Sequence, residues 1–222
     1  MYLNKVNLIL SNTSRSASYI KMLKKNKIKI NLIILYGFKK SFNYGNLPAT
    51  NKVKLFHAKR INYKIINYLK SSKENYFFIS PNQGEIIQNK QLLNQLKILH
   101  FHPGKLPKFK GSTILYYTKL LKKNYYCSCF RLGDKIDTGD IYFQKKFKNI
   151  KFNEKNYDEI DNFIRSKTFI AFLKNKKKKV KINTKKINVE NYYIIHPLLR
   201  KISVNTKFKR SLKNFLLSKY KI

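Results

Sequence analysis

Short apolar runs alternate along the chain with segments in which apolar residues recur at helical spacing. The runs are typical of buried β-strands, and several end at polar or glycine-containing turns such as 11–14 and 80–84. They predict strands at residues 6–10, 28–35, 76–79, 96–101 and 125–131. Helical spacing predicts helices through Ala17, Ile20 and Leu23 and at 61–69, 112–121, 161–173 and 210–220.

The alternation of strands with helices predicts an α/β domain. Successive strands joined by helices form a parallel sheet, so we expect a Rossmann-like, doubly wound, mostly parallel sheet with helices on both faces. Ser112 is expected to cap the helix at 112–121. We place the domain at residues 1–175, and we place at 176–222 a basic extension, a strand or helix that packs on the domain or trails it.

Composition excludes several classes of protein. Of the 222 residues, 43% are hydrophobic and 14% are aromatic, which is too apolar for a wholly disordered chain. No apolar run approaches the roughly 18 residues of a membrane span, and the first residues lack a signal-peptide pattern. Cys127 and Cys129 are the only cysteines, and their spacing fits neither a disulfide framework nor a zinc site. We therefore expect a cytoplasmic protein without a metal.

The net charge of +39 permits two interpretations. A surplus of this size attracts nucleic acid or anionic membranes. Only six of the 49 basic residues are arginine, however, and arginine is the residue that forms paired hydrogen bonds with phosphates and base edges. The lysines are spread along the chain among Asn, Ile, Tyr and Phe, as expected when codons drift toward A and T. The lysine run at 176–179 fits either a patch that binds polyphosphate or a membrane, or a solvated helix end.

Two histidines lie at the end of a predicted strand. His100 and His102 are two positions apart, so both side chains project to the same side of an extended chain. Pro103 and Gly104 then turn the backbone at the sheet edge where open parallel sheets bind ligands. Histidine transfers protons near neutral pH, which makes this segment a candidate catalytic site. Taken alone, it fits a pair of packed or surface histidines equally well.

An acidic, glycine-containing loop follows the strand predicted at 125–131. Residues 132–140 hold three of the ten acidic residues, namely Asp134, Asp137 and Asp140. A carboxylate beside a histidine raises the pKa of the imidazole and fixes its tautomer. Because this strand can lie beside the histidine strand, the loop is a candidate partner for His102. An acidic turn on a basic protein is an equally good interpretation of the loop alone.

The two segments together resemble the catalytic core of the folate-dependent formyltransferases. Residues 100–111 read His-Phe-His-Pro-Gly-Lys-Leu-Pro-Lys-Phe-Lys-Gly, and residues 136–139 read Ile-Asp-Thr-Gly. The family pattern is Asn-x-His-Pro-Ser-Leu-Leu-Pro-x-Tyr-x-Gly, followed further along by Asp-x-Gly. The resemblance covers roughly residues 4–175 and is strongest over 76–147. The family includes glycinamide ribonucleotide formyltransferase, methionyl-tRNA formyltransferase and the sugar N-formyltransferases.

The resemblance implies a role for each part of the site. His102 matches the family's catalytic histidine, Asp137 matches its catalytic aspartate, and His100 stands where the family has an asparagine. The residues implied in binding 10-formyltetrahydrofolate, the formyl donor, are Asn82, Gln83, Gly84, Ile86, Gly133, Asp134 and Ile136. The residues implied in binding the acceptor are Ser11, Asn12, Thr13, Pro103, Gly104 and Lys105.

Two departures from the family pattern bear on activity. The family asparagine, here His100, donates a hydrogen bond to the developing oxyanion, and the family serine after His-Pro is Gly104 here. An imidazole can also donate a hydrogen bond, so we expect His100 and His102 to share that role. Asp137 is expected to orient His102 and to help move the proton that the amine loses.

The resemblance implies an N-formyltransferase that acts on a primary amine. Segments 103–107 and 111–117, with a weaker match at 192–199, are most similar to the sugar-modifying branch, which implies an amino sugar or sugar nucleotide as acceptor. Glycinamide ribonucleotide, the acceptor in purine synthesis, is the alternative. A nucleic-acid-binding protein on an inactive scaffold, bound through the basic charge, is the alternative of another class. The oligomeric state stays open, with a homodimer as one option.

Overall fold

The structure is a computed structural model that describes residues 5–37, 52–87, 89–175 and 190–205. Its strands are β1 (Lys5–Ser11), β2 (Lys29–Tyr36), β3 (Val53–Phe56), β4 (Tyr76–Ser80), β5 (Lys97–His102), β6 (Phe109–Gly111), β7 (Tyr125–Arg131), β8 (Ile141–Phe147) and β9 (Glu190–Tyr192). Its helices are α1 (Ser14–Lys25), α2 (Tyr63–Ser71), α3 (Lys90–Gln95), α4 (Ile114–Leu120), α5 (Tyr157–Lys174) and α6 (Pro197–Val204). Across these described ranges, no helix combines the length and the apolar character needed to cross a membrane.

Seven strands form the central sheet in the order β3-β2-β1-β4-β5-β7-β8. Strands β1 to β5 pair in parallel, whereas β7 is antiparallel to β5 and β8 is antiparallel to β7. Helices α1, α2 and α3 connect parallel strands, because a parallel connection must cross from one end of the sheet to the other. The predicted mostly parallel sheet is confirmed.

Side chains of the central strands alternate between two buried cores. On β1, Leu8 and Leu10 belong to the core formed with α1 and α5, whereas Ile9 belongs to the core formed with α2 and α3. Helices therefore cover both faces of the sheet, which confirms the predicted doubly wound arrangement. Burial on both faces also explains why the central strands are apolar at consecutive positions.

Polar residues cap the first turns of three helices. Thr13, Asn62 and Asn89 accept hydrogen bonds from backbone N–H groups of α1, α2 and α3. The prediction that Ser112 caps the fourth helix is wrong. This helix begins at Ile114, after Thr113, whose backbone is left-handed (φ 53°) and whose side chain makes no cap bond. The Thr113 hydroxyl instead accepts a hydrogen bond of 3.0 Å from the backbone of Ile195, so a contact with the C-terminal segment replaces the cap.

The described part of the C-terminal extension packs on the domain. Strand β9 pairs in parallel with β6, and Arg200 of α6 donates to the Tyr116 hydroxyl of α4 at 3.1 Å. Ile195 and Ile202 are buried. The domain boundary at residue 175 stays a prediction, and the lysine run at 176–179 and the helix predicted at 210–220 lie outside the described residues.

Candidate active site

The residues of the candidate site lie at one edge of the central sheet. His100 and His102 are on β5, and His102 is the last residue of that strand. Asp137 lies in the connection between β7 and β8, and β7 is the neighbour of β5 in the sheet. The topology thus gathers residues that are distant in sequence at the carboxyl ends of the parallel strands, where ligands of such sheets bind.

His102 and Asp137 are in contact. His102 Nδ1 lies 3.4 Å from Asp137 Oδ2, and this oxygen also accepts a hydrogen bond of 2.7 Å from the Gly111 N–H. His102 Nε2 lies 2.7 Å from the Phe109 carbonyl oxygen. Because a carbonyl oxygen can only accept, Nε2 carries a proton. The backbone of β6 therefore holds the carboxylate in place beside Nδ1.

Burial and neighbouring groups act in opposite directions on His102. The residue is 2% exposed, and its pKa is lowered, mainly by burial. Asp137 and the Phe109 carbonyl raise the pKa, and the Arg165 guanidinium lowers it. Both ring nitrogens face acceptors, so the neutral ring satisfies one of them and the protonated ring satisfies both. The pair is thus built to take up a proton, while burial keeps the ring neutral beforehand.

Because Gly104 has no side chain, the His102 ring and the Phe109 carbonyl can pack directly against its backbone. A Cβ at position 104 would lie 2.8 Å from His102 Nε2 and 2.7 Å from the Phe109 oxygen. Both distances are shorter than such atoms normally approach, so a serine, the family residue at this position, does not fit beside the ring as it stands. A side chain at position 104 therefore requires the His102 ring or the β6 backbone to move.

His100 has different partners from His102. Its Nδ1 lies 3.3 Å from the Ile79 carbonyl oxygen, and its Nε2 lies 3.3 Å from Arg165 Nη1. Burial and the positive charges of Arg165 and Arg15 hold the pKa of His100 well below its ordinary value. Both ring nitrogens of His100 are engaged, as are both of His102, so the predicted donation from the two rings to an oxyanion finds no free N–H in this arrangement.

Arg165 and Asp161 on α5 are two candidate functional residues that the sequence did not reveal. Arg165 is buried, and its Nε donates to Asp161 Oδ2 at 2.8 Å. Its Nη1 also donates to the Phe101 carbonyl of β5. The signal in the sequence is an Asp–Arg pair four positions apart on an apolar helix, which is equally typical of exposed helix surfaces.

The loop that follows β4 contains four of the predicted donor-binding residues and is tied down by Glu85. The Glu85 carboxylate accepts hydrogen bonds from the Tyr36 hydroxyl (2.6 Å), the Ile61 N–H (2.6 Å) and the Asn82 N–H (3.0 Å). Burial and the Glu85 charge raise the pKa of Tyr36, so this hydroxyl stays protonated and donates. Of the four predicted residues in this loop, Gln83, Gly84 and Ile86 are exposed and Asn82 is half-buried.

The connection between β7 and β8 is a tight loop held by its own backbone. The Gly133 N–H donates to the Thr138 carbonyl at 2.8 Å, and Asp137 has a left-handed backbone (φ 48°). Gly139 (φ 127°) has no room for a side chain, because a Cβ there would lie 2.0 Å from the Arg131 carbonyl oxygen. The local geometry of the loop thus fixes the direction from which Asp137 reaches His102.

A cavity of about 290 Å³ lies between this loop and α3. Its lining includes Leu93 and Arg131 together with Gly133 and Asp134, two of the predicted donor-binding residues. Ile136, which is 55% exposed, does not line this cavity, nor does the loop after β4. The structure therefore divides the predicted donor-binding residues between the two loops.

The first group of predicted acceptor-binding residues lies between the end of β1 and the start of α1. Ser11 is buried and donates to the Ser80 carbonyl at 2.9 Å. Thr13 caps α1 by accepting from the Ser16 N–H at 3.3 Å, and Asn12 between them is half-buried. Their role in binding an acceptor stays a prediction.

The second group of predicted acceptor-binding residues follows β5. Pro103 and Gly104 are buried, so they present little surface to a ligand. Lys105 is exposed, and its ammonium lies 5.0 Å from the centre of the Tyr126 ring. Of this group, Lys105 is the member with an exposed side chain, and its role also stays a prediction.

The two buried histidines lead us to expect that stability falls in mild acid. The pKa values of His100 and His102 are lowered by folding, so below the ordinary histidine pKa of about 6.5 the unfolded chain binds more protons than the folded chain. The free energy of unfolding should therefore be fully present above about pH 6.5 and decrease below it, by at most about 1.4 kcal/mol per pH unit for each histidine. Urea denaturation at several pH values measures this decline. A His100→Asn variant should show a shallower decline, and an unchanged slope would contradict the assignment.

No protein-family model and no curated protein sequence matches this chain. Solved structures, in contrast, are similar to it over most of its length. A sugar N-formyltransferase from Shewanella sp. FDAARGOS_354 aligns with a TM-score of 0.58 over 90% of this chain and 86% of that chain, at 15% identity. A 4-N formyltransferase from Francisella tularensis aligns with a TM-score of 0.56 over 87% of this chain and 78% of that chain, at 17% identity.

A third similar structure was solved with small molecules present. WlaRD, a sugar 3N-formyl transferase in the presence of dTDP and 5-N-formyl-THF, aligns with a TM-score of 0.51 over 85% of this chain and 69% of that chain, at 18% identity. At identities this low, the likeness shows the fold. The chain has the Rossmann-like α/β fold of these formyltransferases, as the motif resemblance predicts.

Proposed function

We propose that this chain is an N-formyltransferase that moves the formyl group of 10-formyltetrahydrofolate to a primary amine of an amino sugar or sugar nucleotide. The observation that carries the proposal is the contact between His102 and Asp137, the residues that match the family's catalytic pair. The fold shared with sugar N-formyltransferases supports it.

The reaction sets two tasks for the protein. The lone pair of an uncharged amine attacks the formyl carbon, a carbon–nitrogen bond forms, and the formyl oxygen gains negative charge. The bond between the formyl carbon and N10 of the folate then breaks, the amine nitrogen loses a proton, and N10 gains one. The protein must therefore move a proton and stabilise an oxyanion.

Asp137 and His102 divide the first task between them. The Asp137 side chain is 14% exposed and that of His102 is 3% exposed, so we assign the carboxylate the first contact with the departing proton, directly or through a water. His102 Nδ1, 3.4 Å away, takes the proton up, because the protonated ring satisfies both of its acceptors. The charge gained by the ring then provides electrostatic stabilisation for an oxyanion at this sheet edge.

The two loops beside the pair are the proposed donor site. The loop after β4 offers the exposed residues Gln83, Gly84 and Ile86. The connection after β7 offers Gly133 and the exposed Ile136. Backbone groups with apolar side chains suit a flat, polar-edged pterin ring. The presence of 5-N-formyl-THF with the similar WlaRD supports a folate donor.

The proposed acceptor site lies at the start of α1. N–H groups at the first turn of a helix favour an anion, such as the phosphate of a nucleotide-linked sugar. Ser11 and Thr13 surround this turn, and Lys105 adds an exposed positive charge on the segment after β5. The similar sugar N-formyltransferases support a sugar amine as acceptor.

Incubation with 10-formyltetrahydrofolate and a panel of amines tests the proposal. The panel contains free amino sugars, nucleotide-linked amino sugars and glycinamide ribonucleotide, and mass spectrometry identifies the products. We expect one formyl group to be gained by an amino sugar acceptor, together with an equimolar amount of tetrahydrofolate. Formylation of glycinamide ribonucleotide alone would assign the chain to purine synthesis, and no formylated amine at all would contradict the proposal.

Binding measurements separate the enzyme from a nucleic-acid-binding protein on an inactive scaffold. Calorimetry with 5-formyltetrahydrofolate should detect binding of the folate by the wild-type chain. Binding to RNA or DNA that weakens steeply with salt, without any folate binding, would favour the inactive scaffold.

Glu85→Gln is expected to weaken the binding of 5-formyltetrahydrofolate by about 5- to 50-fold. The Glu85 carboxylate accepts three hydrogen bonds that hold the loop after β4 in place. A glutamine amide has an NH₂ group on one side, and this group would face at least one of the three N–H or O–H groups that now donate to Glu85. Calorimetry measures the dissociation constant, and Glu159→Gln on the exposed surface of α5 is the matched control. A parental dissociation constant for Glu85→Gln would show that the loop does not depend on this carboxylate.

A further inference from the structure

Arg165 is a buried cation beside the strand that carries both histidines. Its side chain extends from α5 and is 10% exposed. Its Nε donates to Asp161 Oδ2 at 2.8 Å, so a carboxylate balances its charge. Its Nη1 donates to the Phe101 carbonyl, between the two histidines in sequence, and lies 3.3 Å from His100 Nε2. One guanidinium thus holds both the backbone and a side chain of β5.

The partners of His100 determine where its proton lies. A guanidinium only donates, so His100 Nε2, which faces Arg165, carries no proton. A carbonyl oxygen only accepts, so Nδ1, which faces the Ile79 oxygen, carries the proton. His100 is therefore a neutral ring with its proton on Nδ1, and the residue is 9% exposed.

We infer that Arg165 is a positioning residue. Its contact with Nε2 fixes the tautomer of His100, and its contact with the Phe101 carbonyl fixes the end of β5, where His102 lies. The inference rests on the proposed function and narrows it. His100 has no free N–H for an oxyanion and, unlike His102, its ring nitrogens face Arg165 and the Ile79 carbonyl rather than Asp137, so it supports the site instead of contacting the reacting atoms. The imidazole of His102 is then the ring that takes up the proton.

The charged groups around His100 agree with this role. Burial lowers the pKa of His100 most, followed by the positive charges of Arg165 on α5 and Arg15 on α1, with a smaller effect of His102 in the same direction. Asp161 lies within 2.8 Å of Arg165 Nε and 3.8 Å of Arg15 Nε, so two cations share one carboxylate. A protonated His100 would face these guanidinium groups, and the ring therefore stays neutral.

Nitrogen-15 NMR of the histidine rings tests the inference on the full chain without substrate. The four histidines give few signals, and loss of one set in His100→Asn identifies His100. We expect a protonated Nδ1 and an unprotonated Nε2 at neutral pH, with no ring protonation as the pH falls through about 6.5. A proton on Nε2, or titration in the ordinary histidine range, overturns the inference.

Variants at position 165 separate positioning from a general structural role. Arg165→Met should raise the pKa of His100 and mix its tautomers, and should lower kcat about 10- to 100-fold with a much smaller change in KM for the amine. Arg165→Lys, which restores one donor and the charge, should recover part of both effects. Arg200→Met is the control, because Arg200 contacts Tyr116 and Glu154. Unchanged His100 signals in Arg165→Met overturn the inference.

The wild-type spectrum decides the tautomer even if Arg165→Met does not fold. If His100 has the expected signals but the chain formylates no amine, the proposed function fails and the contact assignment of Arg165 to His100 stands. If the chain formylates an amine but His100 carries its proton on Nε2, the proposed function stands and the inference fails. The two failures are therefore distinguishable.

Discussion

Asp137→Asn is expected to lower kcat for formyl transfer by about 10²- to 10⁴-fold. The amide cannot take up a proton and carries no charge, so the first step of proton transfer and the stabilisation of a protonated His102 are both lost. Its oxygen can still accept the hydrogen bond that the Gly111 N–H donates at 2.7 Å, so the fold should persist. His102→Gln should produce a loss of similar size, because the proton then has no imidazole to enter. Steady-state kinetics with the formylated amine as product measure both variants.

Matched substitutions away from the pair provide the controls for this result. Asp158→Asn changes an exposed carboxylate in the first turn of α5, and His57→Gln changes an exposed histidine. Neither residue contacts the pair, so both variants should retain parental kcat. Parental turnover in Asp137→Asn or in His102→Gln would instead show that the reaction does not pass through these side chains.

Gly104→Ala is expected to lower kcat by about 100-fold and to lower the free energy of unfolding by about 1–3 kcal/mol. The new Cβ would lie 2.7 Å from the Phe109 oxygen and 2.8 Å from His102 Nε2, so either the ring or the β6 backbone has to move. Movement of the ring breaks the geometry on which proton uptake depends. Kinetics, denaturation and the NMR signals of His102 measure the three consequences.

Gly84→Ala is the stability control for this steric effect. Gly84 has a positive φ of 70°, but a Cβ there would meet no atom within 4 Å. Its substitution therefore reports the cost of backbone strain, about 1 kcal/mol, without a collision. If Gly104→Ala left the His102 signals and kcat at their parental values, the close packing described around Gly104 would be wrong.

The sequence predicted the centre of the sheet better than its edges. Strands β1, β2, β4, β5 and β7 are buried, and their continuous apolar runs made them recognisable. The missed strands β3 and β8 are the two edge strands of the central sheet, where Lys54 in β3 and the adjacent Lys145 and Lys146 in β8 interrupt the apolar run. Short α3, and the β9–α6 segment that packs on the domain, also carry too little periodicity to be recognised alone.

The site shows a similar division between local and long-range information. The spacing of His102 and the Asp-x-Gly loop could be read from the chain, because a motif records residues that are brought together in many proteins. The contacts of Arg165 with His100 and Phe101 join residues 65 and 64 positions apart, and the packing of α5 over the sheet determines them. Glu85 likewise gains its role only when β2 and the segment before α2 lie beside its loop.

The lysines that the structure describes lie at the surface. Among the residues that the structure describes, the buried ionisable side chains include the Asp161–Arg165 pair and the two histidines of β5, and no lysine is buried. These lysines therefore remain in contact with water and take no part in the core. This placement is compatible both with drift in codon composition and with attraction to polyanions, so the salt-dependent binding measurement above remains the discriminating one.

A single-turnover experiment with an isotopically labelled formyl donor tests the central claim most directly. Enzyme in excess over labelled 10-formyltetrahydrofolate is mixed with the amino sugar acceptor, and the label is followed by mass. Formyl transfer through the His102–Asp137 pair predicts that the label appears on the amine in step with the formation of tetrahydrofolate, and that Asp137→Asn binds the donor but transfers the label far more slowly. Label that stays on the bound folate or is released only as formate, in the wild-type protein and across the acceptor panel, would contradict it.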